Sequence, residues 1–191
     1  MTSEVQICNR ALQKMGAKRI VSLSENSRNA RSMNVAYTSV RDDLLRSHPW
    51  SCAIKRVQLA ADPAEPDFTF ARKFELPSDW LRMLPRDPSV NYNDTDWTIE
   101  ERWVLTNDSA PLEIRYIFRL VDPTKMDSSF REALSARLAV ETCEEITQSN
   151  TKYQLLASWY KNAIASARRT NAIEKFVPAQ PTDDTWITAR I

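Results

Sequence analysis

The sequence predicts an α+β fold: a four-helix bundle drawn from the N- and C-terminal segments, an inserted antiparallel β domain, and an extended C-terminal tail. Three observations predict it. Apolar residues recur every three to four positions up to Ser47, every second position through much of 50–121, and every three to four again after Asp127. Prolines at 63, 66, 77, 85, 88 and 111 cut the middle into short pieces, which suits strands and forbids long helices. At 191 residues and 42% hydrophobic composition, the chain has room for one body with one sizeable insertion. The expected division is a helical domain from 1–48 and 122–177, an inserted β domain from 49–121, and an extended docking tail from 178–191.

Each element has a local reason. Ser3 can cap a first helix whose Val5, Cys8, Leu12 and Met15 share a stripe, and Gly16, the one glycine of the chain, is the natural left-handed stop. A second helix begins after Ser27 with Ala30, Met33, Tyr37, Val40 and Leu44 on one face and Arg28, Arg31, Arg41 and Arg46 largely off it. Pro49 disfavours helical geometry at His48, so this helix ends near Ser47. From Trp50 the period is two, through Cys52, Ile54, Val57 and Leu59. The clearest strand is "PLEIRYIFRLVD", with Leu112, Ile114, Tyr116, Phe118 and Leu120 on one face; "FTFARKFELP" and "DWTIEERWVLTN" add others, the latter as two strands with a tight turn. Asp127 or Ser128 caps a third helix carrying Phe130, Leu134 and Leu138 beside a small-residue ridge of Ala133, Ala136, Val140 and Cys143. A final helix runs from about Thr151 to Lys175 with Leu156, Trp159, Tyr160, Ala163 and Ala167 inward, and Pro178 and Pro181 end it.

Composition removes several chemistries. With one glycine, the chain can contain no P-loop, dinucleotide fingerprint or nucleophile elbow, since each needs glycines where backbone turns sharply or approaches a phosphate. One histidine and three dispersed cysteines, Cys8, Cys52 and Cys143, do not match zinc spacings, and they read as thiols in a reducing compartment. No metal, cofactor or catalytic triad is expected. The opening "MTSEVQICNRALQKMG" is amphipathic and charged, so the expectation is a soluble intracellular product with no membrane partner.

Four places invite a functional reading. "LLRSHPWSCAIKR" holds His48 with Cys52 nearby and Asp42 and Asp43 upstream, a nominal nucleophile, base and acid; a helix-to-strand junction explains the same residues with less. The carboxylate pairs Glu100/Glu101 and Glu144/Glu145 could serve acid–base work but read as solvated faces. Lys161, Arg168, Arg169 and Lys175 form the best basic cluster, a surface for a partner or for DNA, in a segment 152–175 that carries five basic residues and one acidic one. Residues 49–121, with nine basic and twelve acidic, are mildly acidic. Last, "TWITARI" alternates like an added strand and places Trp186, Ile187, Arg190 and Ile191 in an otherwise polar stretch. Either it folds back on its own body or it docks on a neighbour, and docking is the expectation.

The phrases "NRALQKMGAKRIVSL", "RDDLLRSHPWSCAIKR", "FELPSDWLRML", "FREALSARLAVETCEEIT" and "DDTWITARI", in this order across almost the whole chain, resemble the tail tubular protein A family of short-tailed bacteriophages. These are head–tail adaptor, or gatekeeper, proteins. The resemblance implies a virion protein assembled in the host cytoplasm as a ring, commonly of twelve copies. Its helical part would face the portal protein and its β part the tail nozzle, a tail tubular protein B-like partner. Double-stranded DNA would pass through the bore without sequence specificity. It carries no catalytic signature, and it gives the basic helix a use against acidic portal surfaces or DNA. Two other classes compete: an intracellular nucleic-acid-binding regulator acting through the basic helices, and a hydrolase acting through one of the carboxylate pairs.

Overall fold

The computed structural model describes residues 3–87 and 96–174. Over these the protein is mixed α+β, with four helices and two three-stranded antiparallel sheets. Helix α1 (Glu4–Met15) starts where expected: the Ser3 hydroxyl accepts from the Gln6 N–H while the Gln6 side chain accepts from the Ser3 N–H, satisfying two donors that a helix start leaves open. It stops at Gly16, whose φ of 70° is costly for any residue with a Cβ. Helix α2 (Arg28–Ser47) is capped by Ser27 and ends at His48, which Pro49 forces to extended geometry (φ −148°, ψ 144°). Ala30, Met33, Tyr37, Val40 and Leu44 are buried as their spacing predicts. Arg41, expected off that stripe, is buried too: its guanidinium carbon lies 5.8 Å from the centre of the Tyr37 ring and the same group reaches Asp42.

Cys52, expected in a strand, lies instead in a 3₁₀ turn over Ser51–Ala53, and regular extended structure begins only at Ile54. Strand β1 (Ile54–Leu59) is followed by β2 (Arg72–Glu75), β3 (Trp80–Leu84), β4 (Trp97–Glu100), β5 (Trp103–Thr106) and β6 (Leu112–Phe118). The first sheet has order β1–β6–β3 and the second β2–β5–β4. Strands β4 and β5 form the tight hairpin expected from "DWTIEERWVLTN", turning through Glu101 at φ 52°. Strand β3 has no counterpart in the expectations, because it is only five residues long, lies between Pro77 and Pro85, and has no polar–apolar alternation in its sequence.

The first sheet is a middle layer. One face sends Met83, Leu112, Ile114 and Tyr116 against Phe74, Leu76 and Val104 of the second sheet's side, forming a core of their own. Its other face presents Ile54, Ile117 and Leu84 to the helices. Strand β6 is therefore buried on both faces at its C-terminal end, where alternation alone assigns only one, and Leu120 beyond it enters the helical core.

Helix α3 (Ser128–Thr147) is capped by Asp127, whose carboxylate accepts from the N–H groups of Ser129 and Phe130, and it packs on all three other helices, which touch one another little. Burying Phe130, Ala133, Leu134, Leu138, Ala139 and Cys143 leaves it apolar nearly all round. Helix α4 (Asn150–Ile173) contrasts sharply: only Leu156, Ala167 and Asn171 are buried. Trp159, expected inward, is 42% exposed: the buried Leu156, Ala167 and Asn171 span about 60° of the circumference, and Trp159 falls about 60° beyond Leu156 on the side away from the other two.

Candidate functional site

The junction at "HPWSC" is built by its neighbours. The Trp50 indole is buried, donates its Nε1–H to the Leu44 carbonyl at 2.9 Å, and meets the rings of His48 at 4.8 Å and Phe130 at 5.1 Å edge-on. Asn171 of α4 closes the junction from the other side. Its Oδ1 accepts from the Ser51 N–H at 2.7 Å, and its Nδ2 reaches the Pro49 carbonyl at 3.2 Å and His48 Nε2 at 3.0 Å. One carboxamide so satisfies donors and acceptors left open where the helix stops and the strand has not begun. The Leu44 carbonyl accepts from the Trp50 indole and the Ser47 hydroxyl, while His48 Nε2 meets the Asn171 carboxamide. Burial raises the Cys52 thiol above its ordinary value, the opposite of what activates a nucleophile. Asp42 is taken by Arg41 and Arg119, each at 2.8 Å, and so ties α2 to the segment after β6.

Asn171 is the residue that sequence reading missed here. Its signal was available: it stands four positions after Ala167, so a polar side chain falls on the inward stripe of α4. A second missed centre is Asp79, before β3. Its carboxylate accepts from Lys55 Nζ at 2.5 Å and the Tyr116 hydroxyl at 3.0 Å, and Lys55 lies 4.1 Å over the Phe118 ring. Burial alone would raise the Asp79 carboxyl, but these two donors outweigh it and hold it below the usual range; burial and the bond to Asp79 push Tyr116 up to about 12.

The carboxylate pairs separate. Glu145 accepts from the Ser32 hydroxyl at 2.6 Å, its carbonyl accepts from Arg28, and so it joins α3 to α2, while Glu144 faces solvent. Glu100 and Glu101 stand exposed at the tip of the β4–β5 hairpin.

On α4, Lys161 and Arg168 lie seven residues apart on one exposed face, and Arg169 is exposed about 100° further round. The other exposed flank is apolar: Leu155, Trp159 and Ile173 fall within 40° of one another on the helical circumference. Lys175, like the docking candidates Trp186, Ile187, Arg190 and Ile191, lies outside the described residues. Among the described residues no three His, Cys, Asp or Glu side chains gather as a metal set, and no helix is long and apolar enough to cross a membrane. A scan against protein-family models matches no family, and a search of curated proteins finds no matching sequence.

Proposed function

We propose that this protein is a head–tail adaptor of a short-tailed bacteriophage: a structural virion protein that forms a ring, twelve-fold by the family resemblance, between the portal protein and the tail nozzle and around the DNA channel. In this reading the four helices act as one bundle against the portal, the β layers face the nozzle, and residues 178–191 are an extended docking tail. Helix α4 supports it most directly. Held along one narrow line, it leaves Leu155, Trp159 and the 77%-exposed Ile173 on one flank and Lys161 and Arg168 on the other, a surface made for a partner rather than for water.

The test is to purify the full chain, measure its mass in solution and on portal-bearing, DNA-filled heads, and repeat with Trp159→Ser. Wild type should join heads in multiple copies and retain DNA, and Trp159→Ser should fold yet attach poorly. A wild-type protein that neither forms a multi-copy assembly nor retains DNA in heads overturns the reading. The exposed cations Lys161, Arg168 and Arg169 of α4 favour a second reading, a nucleic-acid-binding regulator. Tight, sequence-preferring duplex binding that weakens steeply with salt and is lost in Lys161→Ala/Arg168→Ala would select it.

A further inference from the structure

The two β layers expose outer faces of opposite charge. Beyond the part of the first sheet that the helices cover, Arg56 of β1 lies directly across from Arg115 of β6, and Arg86 joins them around a concavity of about 310 Å³. Among the described residues that line it, the carboxylate is Glu113, which accepts from Gln58 at 3.2 Å. Arg115 donates to the Pro85 carbonyl, whereas Arg56 and Arg86 are exposed and form no ion pair among the described residues.

The second sheet's outer face is the counterpart. Asp67, Glu100 and Glu101 rim a cleft of about 410 Å³ floored by Trp103, and none of the three forms an ion pair among the described residues. Lys73, the basic residue of this cleft, sits 4.9 Å over the Trp103 ring and pairs with Asp62. Phe68 stands at the rim, 81% exposed.

We propose that these faces are the two halves of one head-to-tail contact between copies of this chain: Arg56, Arg86 and Arg115 of one copy meet Asp67, Glu100 and Glu101 of the next, with Phe68 buried between them. The exposed cations Arg56 and Arg86 suit the exposed carboxylates Asp67, Glu100 and Glu101, and the faces are the two outsides of one pair of stacked sheets, so each copy offers one of each. A contact between different patches propagates from copy to copy and closes into a ring when the rotation allows; patches on nearly opposite sides give a small rotation and many copies. A nucleic acid on the arginines would leave the acidic, aromatic face unexplained. The pairing rests on the ring reading above, and the experiment separates the two.

Two charge reversals on the full chain make the test: Arg56→Glu/Arg86→Glu, and Asp67→Lys/Glu100→Lys. Arg115 and Glu101 are left alone, the first because it bonds the backbone, the second because it forms the turn. Circular dichroism and melting check folding, and Phe68→Ser is a milder third variant. Sedimentation velocity and electron microscopy read assembly, in solution and on heads. Wild type should associate, and less so at high salt; each reversal should weaken association at least tenfold, and Phe68→Ser severalfold. An equimolar mixture of the reversals should regain it, because each mutated face then meets an unlike one in alternating order. If wild type assembles and both reversals assemble equally well, the pairing is wrong and the ring stands. If the first reversal assembles normally but loses binding of a 20-base-pair duplex, the arginines serve DNA and the pairing is again wrong. If wild type assembles in neither setting, both readings fall.

Discussion

Single side chains do much of the joining in this protein, and Asn171 does the most. Removing its carboxamide would strand the Ser51 N–H in a part-buried place and open a void beside His48 and Pro49. A buried donor or acceptor left unpaired costs about 1–3 kcal/mol. Asn171→Ala should therefore lower stability by roughly 2 kcal/mol, read from urea unfolding, while His48→Ala, which removes one bond of the three, should cost about 1 kcal/mol. Equal effects would mean that the histidine, not the asparagine, organises the junction. Gln148 gives the opposite case. It ends α3 at φ 52°, a left-handed conformation that costs a residue with a Cβ about 1–2 kcal/mol. Gln148→Gly should raise stability by about 1 kcal/mol after the unfolded chain's added freedom is counted, and a lower melting temperature would show that the side chain is wanted there for another reason.

Among elements, the attachment of the first sheet to its surroundings carries a pH dependence. Asp79 sits before β3, bonds Lys55 of β1 and Tyr116 of β6, and its backbone carbonyl accepts from Arg119 at 2.7 Å, so one residue spans all three strands of the sheet. Its folded-state carboxyl is held below the ordinary value of 3.8. A depressed carboxylate contributes stability that is fully present above the unfolded value and lost as pH falls through the folded one. Wild type should thus exceed Asp79→Asn in stability at pH 6–7, and the gap should close below about pH 4. A gap that persists unchanged to pH 2 would assign the difference to packing. Helix α4 is fixed at both ends by other means: Lys152 donates to the Met15 carbonyl where α1 stops, and Asn171 holds the α2–β1 junction. Its Leu155, Trp159 and Ile173 flank stays exposed, which leaves that flank available to a partner without weakening the fold.

For the whole molecule, the proposed assembly locates most of its energetics outside the single chain. Deleting residues 179–191, or making Trp186→Ala, should leave the melting temperature of the free protein within a degree or two, since in the docking reading this segment meets a partner and changes away from a folded body's own contacts lie within about 0.5 kcal/mol. Both should nonetheless reduce attachment to DNA-filled heads, because a tryptophan anchor at an interface is worth about 2 kcal/mol or more, and a closed ring multiplies each weak contact by avidity. Tail-bearing, DNA-retaining particles at normal yield from both variants would remove 178–191 from the docking role. A drop in melting temperature of several degrees would place the segment on its own body.

What the sequence determined by itself was local. Caps at Ser3, at Ser27 and at Asp127 or Ser128, the stop at Gly16, the break before Pro49 and a tight turn within "DWTIEERWVLTN" each depend on bonds within a few residues, so spacing and residue type were enough to expect them. Tertiary structure decided everything that depends on what lies opposite. It buried Arg41, turned Trp159 outward, covered β6 on both faces at Ile117, and made a strand of Trp80–Leu84 that has no alternation of its own. It also brought Arg56, Arg86 and Arg115 together within a stretch whose summed charge is acidic. Net charge adds residues along the chain, whereas a sheet pairs residues dozens of positions apart, and only the register of β1 on β6 sets one arginine across from another.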